Sequence, residues 1–274
     1  RHQTGRIILS RFYARRLKRL LPALMVMLLI STGGAIWLLS DLEARAQLAS
    51  APFAASWTSN LYFVLSAVDY FNELARRDLF LHTWSLGVEE QFYLIWPPIL
   101  LAIARLAHRA RTSPSQRMIR WLSLGFLFMA SLGLALAWTF SSPTAAFYLM
   151  PARIWQFALG ALVYLALSDL GERTTPTVPN PPVFSPMTAW LAFGLGLILI
   201  IGSALLLHPN LAYPGVWALA PSLGAALAIA AGHSLSARTG GPLAHPALVW
   251  LGDRSYSWYL WHWPLLMLGF SLGL

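Results

Sequence analysis

Apolar residues fall along this chain in long blocks, and polar residues gather in the gaps between them. A helix needs about 20 apolar residues to cross a bilayer. Blocks of that order predict helices over roughly 20–40, 92–107, 121–140, 151–168, 187–207, 216–232 and 255–273. A shorter apolar piece, Trp57–Val68, reads as re-entrant or interfacial. The pattern predicts an all-α fold, a polytopic transmembrane helix bundle of about seven spans, formed by residues 1–274 as a single domain.

Composition sharpens this picture. Of 274 residues, 57% are hydrophobic and 11% charged, with a mean hydropathy of +0.59, where a soluble domain carries about 25% charged residues. The absence of cysteine excludes disulfides and thiolate chemistry. The net charge of +9 does not point to nucleic acid, because the basic residues cluster beside apolar blocks. Residues 1–19 hold seven Lys/Arg and residues 105–120 hold five. Segment 41–91 holds only Arg45, Arg76 and Arg77 against seven acidic residues. The excess of Lys/Arg on cytoplasmic loops then puts 1–19 and 105–120 in the cytoplasm and 41–91 outside. The stretch "TTPTVPNPPVFSP" (174–186) reads as a Pro-rich linker. No repeat of fixed period appears.

Three stretches carry candidate chemistry. In "HTWSLGVEEQFYLIWP", a helix starting near Leu86 places Glu89 and Glu90 in its first turn, where the helix dipole favours carboxylates. That alone describes a capped helix start without chemistry. His82 and Ser85 argue for more: Ser85 and Glu89 are four apart and share a face, and a histidine beside a carboxylate in a partly dry pocket is an acid–base arrangement. In "FYARRLKRLLPAL", Arg15, Arg16, Lys18 and Arg19 precede a span and serve either as topology anchors or as a clamp for phosphates. Arg16 and Arg19 are three apart and can converge on one ligand. In "GDRSYSWYLWHWPLL", Ser255, Tyr259 and His262 follow an i, i+4, i+7 spacing on one helix face. Trp258, Trp261 and Trp263 fit an interfacial aromatic belt, whereas His262 needs an interior partner and Pro264 frees a carbonyl one turn back. Two lesser features are Arg153 at the start of a span in "MPARIWQFALGAL", and Asn60 and Tyr62 in "WTSNLYF". No HExxH metal pattern, GxSxG elbow, P-loop or dinucleotide fingerprint is present.

Taken in order, "FYARRLKRLLPAL", "HTWSLGVEEQFYLIWP" and "GDRSYSWYLWHWPLL" resemble the acyltransferase-3 family of bacterial membrane O-acyltransferases, and the likeness covers essentially the whole chain. "MPARIWQFALGAL" resembles a further family segment, with Gln156 where glutamate is frequent. The resemblance implies that acetyl-coenzyme A is used as a cosubstrate from the cytoplasmic face, with no tightly bound cofactor. It implies transfer to a hydroxyl of an extracytoplasmic glycan such as lipopolysaccharide O-antigen, peptidoglycan or exopolysaccharide, at the bacterial inner membrane. Arg16 and Arg19 match the family's donor-associated RxxR element. His82, Ser85, Glu89 and Glu90 match its outer-face motif, and Ser255, Tyr256 and His262 its late motif. The family carries two earlier spans, with an arginine and a histidine, that have no counterpart here. The expectation is therefore a fragment lacking those spans and any C-terminal extracytoplasmic domain.

The expected site thus has His82, Glu89 and Glu90 as catalytic groups, and Arg16, Arg19, Ser85, Arg153, Ser255, Tyr256, Tyr259 and His262 as substrate-binding groups. A transporter of a polar or glycan-linked solute, using the same polar residues to line a pathway, is the alternative from another class. It would favour paired broken helices in two halves, and the chain shows no such pairing.

Overall fold

The computed structural model describes residues 9–66, 70, 77–110, 112–174, 182–208, 211–239 and 241–273. Most of the Pro-rich linker at 174–186 lies outside the described residues. All regular elements among the described residues are helical: α1 (Leu9–Leu38), α2 (Asp41–Ala55), α3 (Ser59–Leu65), α4 (Trp84–His108), α5 (Ser113–Ser141), α6 (Pro143–Tyr148), α7 (Ile154–Thr174), α8 (Pro186–Leu206), α9 (Leu219–Thr239) and α10 (Pro246–Ser271), with short 3₁₀ turns between some of them.

Among the described residues, four helical segments are long and apolar enough to cross a membrane: Leu9–Leu38, Ser113–Ser141, Pro186–Leu206 and Val216–Leu235. The seven spans expected from the sequence are thus not all reproduced. The other three blocks do form helices. Ile154–Leu170 is apolar but short. α4 carries Glu89, Glu90 and Gln91 in its second turn, and α10 carries Asp253, Arg254 and His262, so their apolar runs are diluted by polar groups. The chain is a multi-pass membrane protein.

The chain divides into two compact units, residues 1–102 with 255–274, and residues 103–254. In the first, α1 buries Leu20, Leu24, Met27, Leu28, Ser31 and Ala35, spaced at three and four residues so that one stripe faces inward. Leu24, Met27, Ala54, Leu79, Phe80, Leu86 and Leu260 close the core around it. α1 and α4 run antiparallel: the Tyr13 hydroxyl donates to the Leu94 carbonyl at 2.9 Å, and Arg16 lies against Glu90. α2 was read as part of an extramembrane segment, yet it begins on a full capping box. The Ser40 hydroxyl accepts from Glu43 N, and the Glu43 carboxylate accepts from Ser40 N. Within the apolar piece at 57–68, whose last two residues lie outside the described ones, Ser59–Leu65 forms α3, tied to α4 by a reciprocal amide pair between buried Asn60 and Gln91 at 3.2 and 2.9 Å. Gly87 permits that approach, because a Cβ there would stand 2.6 Å from Asn60 Oδ1 and 2.9 Å from the Trp57 carbonyl.

In the second unit, α8 and α9 approach through glycine. A Cβ on Gly196 would stand 2.7 Å from the Gly224 carbonyl, and one on Gly224 would stand 2.7 Å from that of Gly196. Small residues at such crossings let backbones pack closely where lipid supplies no hydrophobic drive between helices. Ser131 joins α5 to the start of α7, donating to the Pro151 carbonyl at 2.6 Å and accepting from Trp155 N at 3.0 Å.

Candidate active site

The first unit holds a cavity of about 650 Å³. Arg15, Arg16 and Arg19 contribute from α1, Ser85 and Glu89 from α4, and Ser255, Tyr256 and Tyr259 from α10. Seven of the sequence-selected residues therefore meet at one place: Arg16, Arg19, Ser85, Glu89, Ser255, Tyr256 and Tyr259. The shared face of Ser85 and Glu89 follows from α4 starting at Trp84, two residues earlier than the expected Leu86.

Arg16 organises this site. Its Nε donates to both Glu90 oxygens at 2.9 and 2.8 Å, and its Nη2 reaches Glu90 at 2.6 Å and Glu89 at 2.9 Å. Its Cζ stands 3.2 Å from the centroid of the Tyr93 ring. This corrects the placement of the carboxylates. They were expected at an outer face, remote from cytoplasmic arginines, but Arg16 and both glutamates form one ion-paired cluster. The error has a simple source: charge counts orient a chain without giving the depth of any one residue. The two carboxylates share Arg16 Nη2 but border different spaces. Glu89 lines the large cavity, while Glu90 lines a smaller pocket of about 320 Å³ with Tyr13, Trp57 and Leu94. Arg16 is thus committed to carboxylates, and among the described residues no ion pair engages Arg15 or Arg19.

His82 sits in a 3₁₀ turn (Leu81–Thr83) just before α4 and is 4% exposed. Its ring is not among the groups lining the cavity; Tyr259 stands between. The Tyr259 hydroxyl donates to the His82 carbonyl, which leaves the Ser85 hydroxyl to donate to Tyr259. Neither ring nitrogen of His82 makes a hydrogen bond of regular geometry. Burial, and to a lesser degree the nearby His262, lower its pKa from 6.5 to about 3, outweighing the backbone of Leu260 and Leu79, which favours the charged form. Leu260 is the residue whose carbonyl Pro264 releases from the helix ladder. His82 is accordingly a neutral imidazole whose nitrogens lie near the backbone of Leu260 and Leu79 without a hydrogen bond of regular geometry.

His262 departs from expectation. It is exposed, its Nδ1 lies 2.7 Å from the Tyr259 carbonyl in its own helix, and its ring meets that of His82 at 5.5 Å, edge to face. Trp263 is more than an aromatic belt, since its indole donates to the Asp78 carbonyl at 2.9 Å. Tyr256 donates to the Leu20 carbonyl at 3.1 Å. Arg153 belongs to the second unit, where it is buried and donates to the Phe147 carbonyl at 3.2 and 2.9 Å, a structural engagement. Sequence reasoning missed Tyr93, Gln47 and Asp78; only Tyr93, one turn after Glu89, carried a periodic signal. Among the described residues, no group of three or more His, Cys, Asp or Glu could hold a metal.

A protein of Komagataeibacter xylinus named as a candidate membrane-bound transacylase is 32% identical over 93% of this chain. A candidate peptidoglycan O-acetyltransferase of Bacillus subtilis is 30% identical over 94%, and a candidate O-acetyltransferase of Staphylococcus aureus is 28% identical over 96%. The chain spans 58%, 39% and 42% of the lengths of those three relatives. No solved structure matches it. The profile of the acyltransferase-3 family, an acyltransferase domain, matches residues 3–273, and the chain belongs to that family of membrane acyltransferases.

Proposed function

We propose that this chain moves an acyl group, acetyl in the simplest case, from acyl-coenzyme A in the cytoplasm to a hydroxyl of an extracytoplasmic glycan, within the bacterial inner membrane. The observation that carries this reading is His82. A buried polar side chain ordinarily finds a partner, and here an imidazole with no side-chain partner and no hydrogen bond of regular geometry sits behind the Ser85–Tyr259 pair of an arginine-lined cavity. Peptidoglycan enters as an acceptor class through the name of the Bacillus subtilis relative, with lipopolysaccharide and exopolysaccharide beside it.

In this reading Arg15 and Arg19 receive the phosphates of coenzyme A, since Arg16 is held by the glutamates. The acceptor oxygen bonds to the acyl carbon and the carbon–sulfur bond breaks. The hydroxyl proton has to reach the departing coenzyme A thiolate, with His82, behind the Ser85–Tyr259 pair, as the base assigned to carry it. A neutral, desolvated imidazole accepts that proton only transiently, which suits a group that hands it on. Glu89, on the cavity face, orders the acceptor hydroxyl, and Glu90 fixes Arg16.

The test is transfer of radiolabel from acetyl-coenzyme A to envelope glycan in vesicles carrying the full-length protein. His82→Ala and Glu89→Gln should each lose about 10²–10⁴ in rate while keeping coenzyme A binding. Wild-type transfer by both would return the cluster to the status of a polar helix start.

A further inference from the structure

The segment that delivers His82, residues 77–83, is irregular until its final turn, yet its backbone is held from three neighbouring helices. Gln47 of α2, 5% exposed, grips it on both sides of Asp78: Nε2 donates to the Arg77 carbonyl at 3.2 Å, and Leu79 N donates to Oε1 at 2.8 Å. Asp78 accepts from Phe80 N at 2.7 Å and from Ser50 of α2 at 3.1 Å, while its carbonyl accepts from Trp263 of α10. Further on, Thr83 donates to the Phe80 carbonyl at 2.6 Å and its hydroxyl lies 2.7 Å from that of Ser59 in α3. Buried backbone groups outside regular structure need such partners. A side-chain amide offers a donor and an acceptor in one rigid plane at any pH, which is what gripping a carbonyl and an N–H two residues apart requires.

We propose that Gln47 is a positioning residue for acyl transfer, fixing the Arg77–Leu79 backbone so that the turn beyond it presents the His82 imidazole behind Ser85 and Tyr259. The proposal rests on the reading of His82 as the acid–base group. Neither Gln47 nor Asp78 touches the cavity, so their influence passes through the backbone of 77–83 alone. Misplacing a reacting group by about 1 Å costs about a hundredfold in rate.

The experiment compares Gln47→Met, His82→Ala and the double variant in the full-length protein, measuring kcat for glycan acylation and the dissociation constant for acetyl-coenzyme A. Gln47→Met keeps much of the side-chain bulk and removes both hydrogen bonds. It should lower kcat about ten- to a hundredfold with coenzyme A affinity unchanged, and should have no further effect once His82 is gone. Wild-type kcat in Gln47→Met, or the same fold loss in the His82→Ala background, overturns the proposal; wild-type kcat in His82→Ala instead overturns the functional reading beneath it. Should Gln47→Met fail to accumulate, Gln47→Glu decides. An ionised carboxylate still accepts from Leu79 N but cannot donate to the Arg77 carbonyl. Its kcat relative to wild type should therefore fall at alkaline pH and recover as the introduced carboxyl protonates, and a ratio of one at all pH values overturns the proposal.

Discussion

Replacing Arg16 by Gln tests the cluster at the centre of the site. The guanidinium makes three contacts with Glu90 and one with Glu89, and lies on the face of Tyr93. These do not weigh equally. The side chains of Arg16 and Glu90 are 21% and 13% exposed, so their pairing is poorly screened. Removing one partner of a fully buried pair costs about 3–5 kcal/mol, and partial exposure brings this to about 2 kcal/mol. Glu89 is 42% exposed, and its contact belongs with surface pairs worth about 0.2–1 kcal/mol. Stacking on Tyr93 contributes about 0.5–1 kcal/mol. Arg16→Gln should therefore destabilise the protein by about 3 kcal/mol.

Thermal unfolding in detergent, read by tryptophan fluorescence, should show a midpoint lowered by roughly 5–10 °C. The decisive comparison is between carboxylates. Glu90→Gln should destabilise more than Glu89→Gln, and adding Glu90→Gln to Arg16→Gln should restore part of the loss, because the double variant no longer strands a poorly solvated charge. Equal effects from the two glutamates, or a double variant whose losses simply add, would refute the assignment of the Glu90 pair as the structural one.

Arg19→Ala, which removes a cavity cation with no ion pair among the described residues, should weaken acetyl-coenzyme A binding about ten- to a hundredfold, from the value of a charge-assisted hydrogen bond of about 1.5–3 kcal/mol; calorimetry of the full-length protein checks it. Stability should fall with acid as the unfolded chain takes up a proton at His82 from pH 6.5 downward while the folded chain refuses it until about pH 3. His82→Gln should flatten that part of a melting-temperature profile. Asp78 works in the other direction: burial raises its pKa from 3.8 to about 6, so its contribution is complete below 3.8 and is lost as pH rises through 6, a loss that Asp78→Asn should remove. The cysteine-free chain suits topology mapping: Thr112→Cys should label from the cytoplasm and Leu42→Cys only from outside, and the reverse pattern would invert the orientation.

What was legible in the sequence is what depends on periodicity. The long helices, the common face of Ser85 and Glu89, and the approach of Ser255 and Tyr259 to one cavity all follow from apolar blocks and a 3.6-residue repeat. What failed depends on contacts across long stretches of chain. Charge counting separated Arg16 from Glu89 and Glu90, because Lys/Arg bias says which way a span points and nothing about how far along it a residue sits. α2 was overlooked because its apolar run is short, although Ser40 and Glu43 spell its capping box. The i, i+4, i+7 spacing placed His262 with Ser255 and Tyr259, but in α10 it lies outside the cavity, beside the His82 ring. Gln47 had no signal at all, since an amide that reads a distant backbone leaves no local pattern.

Glu89 and Glu90 lie in the second turn of α4 and not in the first turn expected from the sequence, so charge neutralisation and not the helix dipole explains them. Three arginines converge on the cavity from α1, and an anionic donor could in principle engage any of them. Glu89 and Glu90 remove Arg16 from that competition by holding it in four hydrogen bonds against Tyr93. Arg15 and Arg19, flanking it, keep their charge available toward the cavity. The same pairing fastens α4 to α1 just over one turn from Ser85, so the cation held by the glutamates becomes the anchor for the segment that carries Ser85. In the proposed function, a donor held by Arg15 and Arg19 would meet Ser85 and Tyr259 at a distance set by the Arg16 cluster. The adjacent carboxylates in this reading divide the arginines into one that builds the site and two that recognise its substrate.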